Sequence, residues 1–141
     1  MQCSLCEGSP DSIKHLFFEC SYAEKIWSEL RKKSQLVDMP YEWEAILHKM
    51  VSLPCNNSIS SVVRRIVIAA SVYFIWMERN KRLFTREKRN PNELLKTIIE
   101  HVRLKLASLK VKSSVQIYKV SKEWQIQMNV RRQDYMYLFW F

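Results

Sequence analysis

The sequence predicts an all-α fold, a bundle of four or five helices behind a small N-terminal knuckle. Three observations carry this expectation. The 141 residues include one glycine and four prolines, too few for a loop-rich or all-β fold. Apolar residues recur at the helical period in successive stretches of the chain. Three of the four cysteines and one of the three histidines fall within the first twenty positions, a density that reads as a ligand set.

That cluster is Cys3, Cys6, His15 and Cys20, spaced C-x2-C-x8-H-x4-C. Three thiolates and one imidazole close a tetrahedral shell around Zn²⁺ and leave no position for water, so the expected site is structural and not hydrolytic. Two residues between Cys3 and Cys6 let both sulfurs face one ion. Gly8, just past that turn, stands where a tight backbone path is expected. Asp11 or Ser12 is placed to cap a short helix over residues 13–18, which would present His15 to the metal, and Ser21 to cap the next helix. A disulfide reading fits less well, because any pairing among three of these cysteines leaves an odd thiol and no signal-peptide pattern precedes them. A C-x2-C redox pair lacks the surrounding βαβ pattern.

The run from Cys3-x-x-Cys6 through Asp11-Ser-Ile-Lys-His15-Leu-Phe-Phe-Glu-Cys20 to Ile26-Trp27 resembles the zinc-binding module of plant non-LTR retrotransposon reverse transcriptases. That module's pattern is C-x-x-C, an acidic-Ser-x-x-His-Leu-Phe core, a final Cys and a following Ile/Val-Trp. Ile75-Trp76-x-x-Arg79-Asn80-x-Arg82-x-Phe84 is similar to a segment that often follows in these elements. The resemblance covers positions 3 to about 110. It implies a module that lies between a reverse-transcriptase domain and, in many members, an RNase H domain, with nucleic-acid or partner binding as its role.

The formal net charge is +9, which favours polyanionic partners, RNA or single-stranded DNA, over acidic membranes; a protein partner is the alternative. The aspartates are Asp11, Asp38 and Asp134, scattered along the chain. Neither the paired aspartates of a polymerase nor a four-carboxylate nuclease cluster can be built from them, so no enzymatic activity is expected. A P-loop, a Rossmann glycine run and a nucleophile elbow are missing too. The longest apolar run, Ile66 to Met77, is 12 residues, short of the ~18–20 that span a bilayer. With no signal-peptide pattern, the expected location is intracellular, nuclear or cytoplasmic. Met1 stands just before the first ligand, and the expected origin is a piece of a longer polyprotein or a small gene derived from one.

The expected organisation is a knuckle and first helix over 1–30, a helical bundle over 31–128, and a tail over 129–141. Helix one runs from about Ser21 to Lys33, with Tyr22, Ala23, Ile26, Trp27 and Leu30 on one stripe and Arg31-Lys32-Lys33 at the C-terminal end, where cations suit the dipole. Pro40 opens a second helix whose Trp43, Ile46, Leu47, Met50 and Val51 share a face, ending near Leu53. His48 is off that stripe, and Cys55 is a lone thiol. Ser58 or Ser60 caps a long helix from about Ile59 to Thr85. It is apolar on several sides, with Ile59, Val62, Val63, Ile66, Val67, Ala70, Phe74 and Met77 on one and Ile68, Val72, Ile75 and Trp76 on another, and so reads as central. Beyond Met77, Arg79, Arg82, Arg86 and Arg89 would share a face if the helix persists. They are the candidate nucleic-acid contacts, set against a solvated face with local pairs such as Glu78–Arg82. Asn90 or Asn92 caps the next helix, with Leu95, Ile98, Ile99, Val102, Leu106 and Leu109 inward to about Val111. Ser113-Ser114 introduces a last helix through Trp124, with Ile117, Val120 and Trp124 inward. The tail is polar through Asp134 and then almost wholly apolar from Tyr135 to Phe141, an ending that admits a docking strand, an association-prone patch or a truncation product.

Overall fold

A computed structural model of the chain describes residues 1–34 and 36–131. Five α-helices make up most of it: α1 Ser21–Lys33, α2 Trp43–Ser52, α3 Ile59–Phe84, α4 Pro91–Ala107 and α5 Val115–Trp124. A π-helical turn, His15–Glu19, precedes α1. Two short strands, β1 Lys110–Val111 and β2 Asn129–Val130, pair in parallel with Lys110 opposite Asn129 and Val111 opposite Val130. The fold is therefore helical as expected, with a small parallel sheet in addition.

The caps follow from the sequence. Ser58 Oγ accepts from Ser61 N–H at the start of α3, Asn90 Oδ1 from Glu93 N–H at the start of α4, and Ser114 Oγ from Ile117 N–H at the start of α5. Pro91 sits in the first turn of α4, where its missing N–H costs nothing. Gln125 closes α5 in the left-handed conformation with φ 52°.

One core joins the elements. Leu16, Phe17 and Phe18 from the π-turn, Ile26, Trp27 and Leu30 from α1, Val63, Val67 and Ile75 from α3, and Leu94, Ile98, Val102 and Leu106 from α4 are all buried. Phe17 and Phe18 lie 5.4 and 5.6 Å from the Trp43 ring, and Phe18 meets Trp27 edge-on at 4.9 Å. These rings carry the packing straight across from the knuckle (1–30) into the bundle (31–128). The Trp27 indole donates to Pro40 C=O at 3.1 Å, which fixes the connector ahead of α2.

Several details depart from the periodic reading. α2 begins at Trp43, three residues after Pro40, and buries only Ile46 fully, while Leu47 and Val51 face solvent. In α4 the innermost line is Leu94, Ile98, Val102 and Leu106, so Leu95 and Ile99 flank it, and the helix stops at Ala107 because residues 110–111 are drawn into the strand pair. In α3 the buried line runs through Val63, Val67, Ala70 and Ile75, whereas Tyr73, Trp76, Met77 and Phe84 are exposed. Among the described residues, one side of α3 is covered and the other is not. α3 is long and apolar enough by length and composition to cross a membrane, with a mean hydropathy of 1.5 over its most apolar window, but its inner face is covered by protein. Of the expected tail, Asn129–Val130 form β2, and residues 132–141 lie outside the described residues.

Ile98 is fully buried where α4 packs against α1 and α3. Replacing it by Ala should destabilise the fold by roughly 2–5 kcal/mol, the range for truncating a core isoleucine. A lower denaturant midpoint at unchanged slope is the expected readout.

Candidate metal centre

The N-terminal loop is wound by its own backbone. Cys3 N–H donates to Ser9 C=O and Glu7 N–H to Cys3 C=O, both at 2.8 Å, and Gln2 bridges to Pro10. The left-handed residue of this loop is Glu7, with φ 57°. Gly8 has no positive φ, and a Cβ added there would meet only Cys6 C=O at 3.8 Å, an ordinary contact. The expected need for glycine at this turn thus falls one residue earlier, on a glutamate.

His15 opens the π-turn. Its N–H donates to Ser12 Oγ at 3.1 Å, so Ser12 is the capping residue of the two anticipated. Asp11 has another task, described below. The wide turn ends when Cys20 N–H donates to His15 C=O at 2.7 Å, which brings the third cysteine beside the first two. Cys20, not Ser21, occupies the N-cap of α1.

The outcome is one cluster: a donor atom from each of Cys3, Cys6, His15 and Cys20 lies within 4.8 Å of the other three. Cys3 Sγ and Cys20 Sγ are 3.8 Å apart, and Cys6 Sγ and His15 Nε2 are 3.2 Å apart. Two sulfurs bound at ~2.3 Å to one tetrahedral ion stand about 3.8 Å from each other. The four side chains could hold a metal ion. Cys3 and Cys20 are buried, and Cys6 and His15 are partly open. Burial pushes the Cys20 thiol up to about 12, partly offset by the Ala23 and Tyr22 amides. Burial also opposes ionisation of Cys6, but the Gly8 amide and the neighbouring His15, Cys20 and Cys3 draw it down to about 7. Cys55, the fourth cysteine, is exposed elsewhere.

The arginines at 79, 82, 86 and 89 do not form one stripe. α3 ends at Phe84, so Arg86 and Arg89 lie beyond the helix. Arg79 forms a two-pronged ion pair with Asp11 through Nε and Nη2, with Nε 3.0 Å from Oδ2. Arg82 Nη1 donates to Ser4 C=O at 3.1 Å and Leu5 C=O at 3.2 Å, the two carbonyls between the first pair of cysteines. Its Nη2 donates to Arg89 C=O at 2.8 Å, which also accepts from Tyr22 O–H at 2.7 Å. Arg86 alone of the four is exposed. Arg79, Arg82 and Arg89 are engaged within the fold, and Arg79 and Arg82 fasten the cysteine loop to the bundle.

At the hub is Glu78, whose side chain is wholly buried. It accepts from Arg82 Nε at 3.2 Å, from Arg89 N–H at 2.9 Å and from Arg89 Nε at 3.2 Å. Sequence reasoning anticipated the Glu78–Arg82 pair but placed it on a solvated face. Nothing in a local spacing could show that Ser4, Leu5 and Asp11, about 70 residues away, would receive the arginines.

No family model, no curated protein and no solved structure matches this chain.

Two predictions arise from this geometry. Cys20→Ala should lower the metal content of the purified chain well below one ion, whereas Cys55→Ala should leave it unchanged, as read by elemental analysis. Burial alone would raise the Glu78 carboxyl, but the Arg89 amide and the Arg82 and Arg89 guanidinium groups hold it below its ordinary value. A depressed folded-state pKa contributes stability that is present above the unfolded value of ~4.3 and is lost as pH falls through the folded value. Glu78→Gln should therefore flatten the acid limb of the thermal stability profile. It should also cost roughly 3–5 kcal/mol at neutral pH, because Arg82 is left buried without its counter-charge.

Proposed function

We propose that this chain is a non-catalytic, zinc-organised module that binds nucleic acid, of the kind its N-terminal pattern resembles in retroelement reverse transcriptases. The ion assigned to Cys3, Cys6, His15 and Cys20 is Zn²⁺, since three soft sulfurs and one imidazole form a closed tetrahedral set. Its task is to hold the first twenty residues in a defined shape, and metal affinity there is folding energy.

The observation that carries the binding reading is where the charge lies. Between residues 101 and 131 stand Arg103, Lys105, Lys110, Lys112, Lys119, Lys122 and Arg131 against the single carboxylate Glu123, which is +6 of the chain's +9. Apart from Arg103, which pairs with Glu100, none of these cations meets a carboxylate among the described residues. Unpaired exposed cations at this density bind phosphates by releasing counterions. Tyr118 stands exposed among them and offers a ring face.

A second reading has its own observation. Tyr73, Trp76, Met77 and Phe84 expose an apolar side of α3, with Phe84 86% accessible. Such a face suits a helical module that docks a protein.

Titration of a labelled single-stranded oligonucleotide separates the two. Nucleic-acid binding predicts a Kd in the range of ~10⁻⁴ to 10⁻⁶ M at physiological salt, with log affinity falling linearly as log salt rises. Absence of binding at low salt, together with salt-resistant self-association by light scattering, would favour the protein-docking reading. Arg82→Gln with Arg86→Gln should leave the salt slope within ~0.7 of the parent, since Arg82 faces inward and at most one contact is lost.

A further inference from the structure

We infer that the phosphodiester backbone of a single-stranded nucleic acid seats in a cation-lined cleft where the first turns of α3 and α5 converge on β1. This inference rests on the nucleic-acid reading above and assigns its contact surface. The site is distinct from both the cysteine cluster and the arginines at 79–89.

The cleft has a volume of about 680 Å³. Its wall includes Ser58 and Ser60 at the start of α3, Ser114 at the start of α5, and Lys110, Lys112 and Arg131. Among the described residues no carboxylate lines it. Lys110 and Lys112 are two apart along an extended segment and both are exposed, while Val111 between them packs on the core. Arg131 is brought up by the strand pair, its N–H donating to Val111 C=O at 2.9 Å. Three cations therefore reach one concave surface from two strands, and two helix N-termini open onto it. Amide groups and the positive end of each helix dipole favour an anion at such a position.

A second, independent observation comes from the adjoining side. A cavity of about 170 Å³ shares Ile59, Ser60 and Gln116 with the cleft and is lined also by Lys33, Arg64 and Lys119. Arg64 is only 9% exposed. One of its nitrogens donates to Pro54 C=O at 2.7 Å, but its buried Nε has no hydrogen-bond partner among the described residues. A buried guanidinium N–H without an acceptor is costly, and an anionic oxygen would satisfy it. Glu123 is the lone carboxylate residue in this second wall, and its backbone carbonyl already receives Lys33 Nζ at 3.0 Å.

The two hollows together form a track of six basic residues around the first turns of α3, longer than one phosphate needs. Apolar side chains, Ile59, Val62, Leu109 and Ile117, floor the larger one, as suits a sugar or a base between successive phosphates. Tyr118 lies beside Lys119 on the exposed side of α5, is 65% accessible, and has Lys122 Nζ 5.8 Å from its ring centroid. A concave track favours a strand over a flat anionic lipid surface.

The test uses the full zinc-loaded chain and a labelled oligothymidylate followed by fluorescence anisotropy at several salt concentrations. Lys110→Gln with Lys112→Gln removes two cleft cations. Lys25→Gln with Lys96→Gln removes the same charge from exposed positions on α1 and α4. The cleft pair should lower the log–log salt slope by about 1.4 and weaken binding about 25-fold near 0.1 M salt, since each phosphate contact on a single strand contributes ~0.7. The control pair should change both much less. Unchanged zinc content and helical circular dichroism establish that each variant is folded, and Arg131→Gln supplies an independent third cleft variant. If the parent binds with a salt-dependent slope while cleft and control variants match each other, the cleft assignment is overturned and the nucleic-acid reading stands. If the parent does not bind at low salt, that reading fails and takes the cleft with it. Binding to phosphatidylserine vesicles but not to the oligonucleotide would overturn the inference in favour of a membrane surface.

Discussion

A carboxylate with no access to water has to be neutralised where it lies, and most of the N-terminal half of this structure follows from how Glu78 is neutralised. Its partners are Arg82, one turn further along α3, and Arg89, from the segment after the helix. Holding Arg89 there bends the chain back after Phe84 and sets up the start of α4 at Asn90. Arg82, with one edge on Glu78, has its other edge free to donate to Ser4 and Leu5. The Arg82 guanidinium also lies 4.7 Å from the centre of the Tyr22 ring, so α1 is gathered to the same point. A buried charge pair rarely adds net stability over an apolar substitute of equal volume, but it does specify geometry, since few alternative packings could satisfy three charged groups at once.

The same constraint lets so short a cysteine loop form part of a larger core. The four donor residues span positions 3 to 20 and provide little apolar area themselves. His15 and Cys20 bracket the π-turn, which turns Leu16, Phe17 and Phe18 toward Trp27 and Trp43. His15 of the cysteine–histidine cluster and the aromatic residues Phe17 and Phe18 therefore share one five-residue turn. Order in the cluster limits the rotamers open to the rings.

Much of this was legible in the sequence, and the illegible part has a common cause. Helices α1, α3 and α5 were readable from periodic burial and from caps such as Ser58 and Ser114, because these are local properties. The cluster of Cys3, Cys6, His15 and Cys20, which could hold a metal ion, was readable because chelation constrains spacing. The partners of Arg79, Arg82 and Arg89 were not legible, because an arginine on a polar stretch looks the same whether its acceptor is a phosphate, a carboxylate or a backbone carbonyl from the far end of the chain. Arg64 gave no signal at all: it sits in a charged pair with Arg65, yet one is buried and the other exposed. The strand pair went unread because two-residue strands carry no periodic pattern, and their pairing depends on a partner beyond an intervening helix.

The parallel pairing of Lys110–Val111 with Asn129–Val130 has a kinetic consequence. A parallel pair cannot be joined by a tight turn, and here α5 forms the crossover. Closing that loop requires the intervening segment to be fixed before the strand hydrogen bonds repay the lost chain entropy. The π-turn and α1, by contrast, are built from neighbours in sequence and can assemble early. Lys110, Lys112 and Arg131 therefore come together only once the crossover through α5 has closed. Hydrogen exchange at the Arg131 amide, which is bonded to Val111, would follow opening of the strand pair separately from the rest of the bundle.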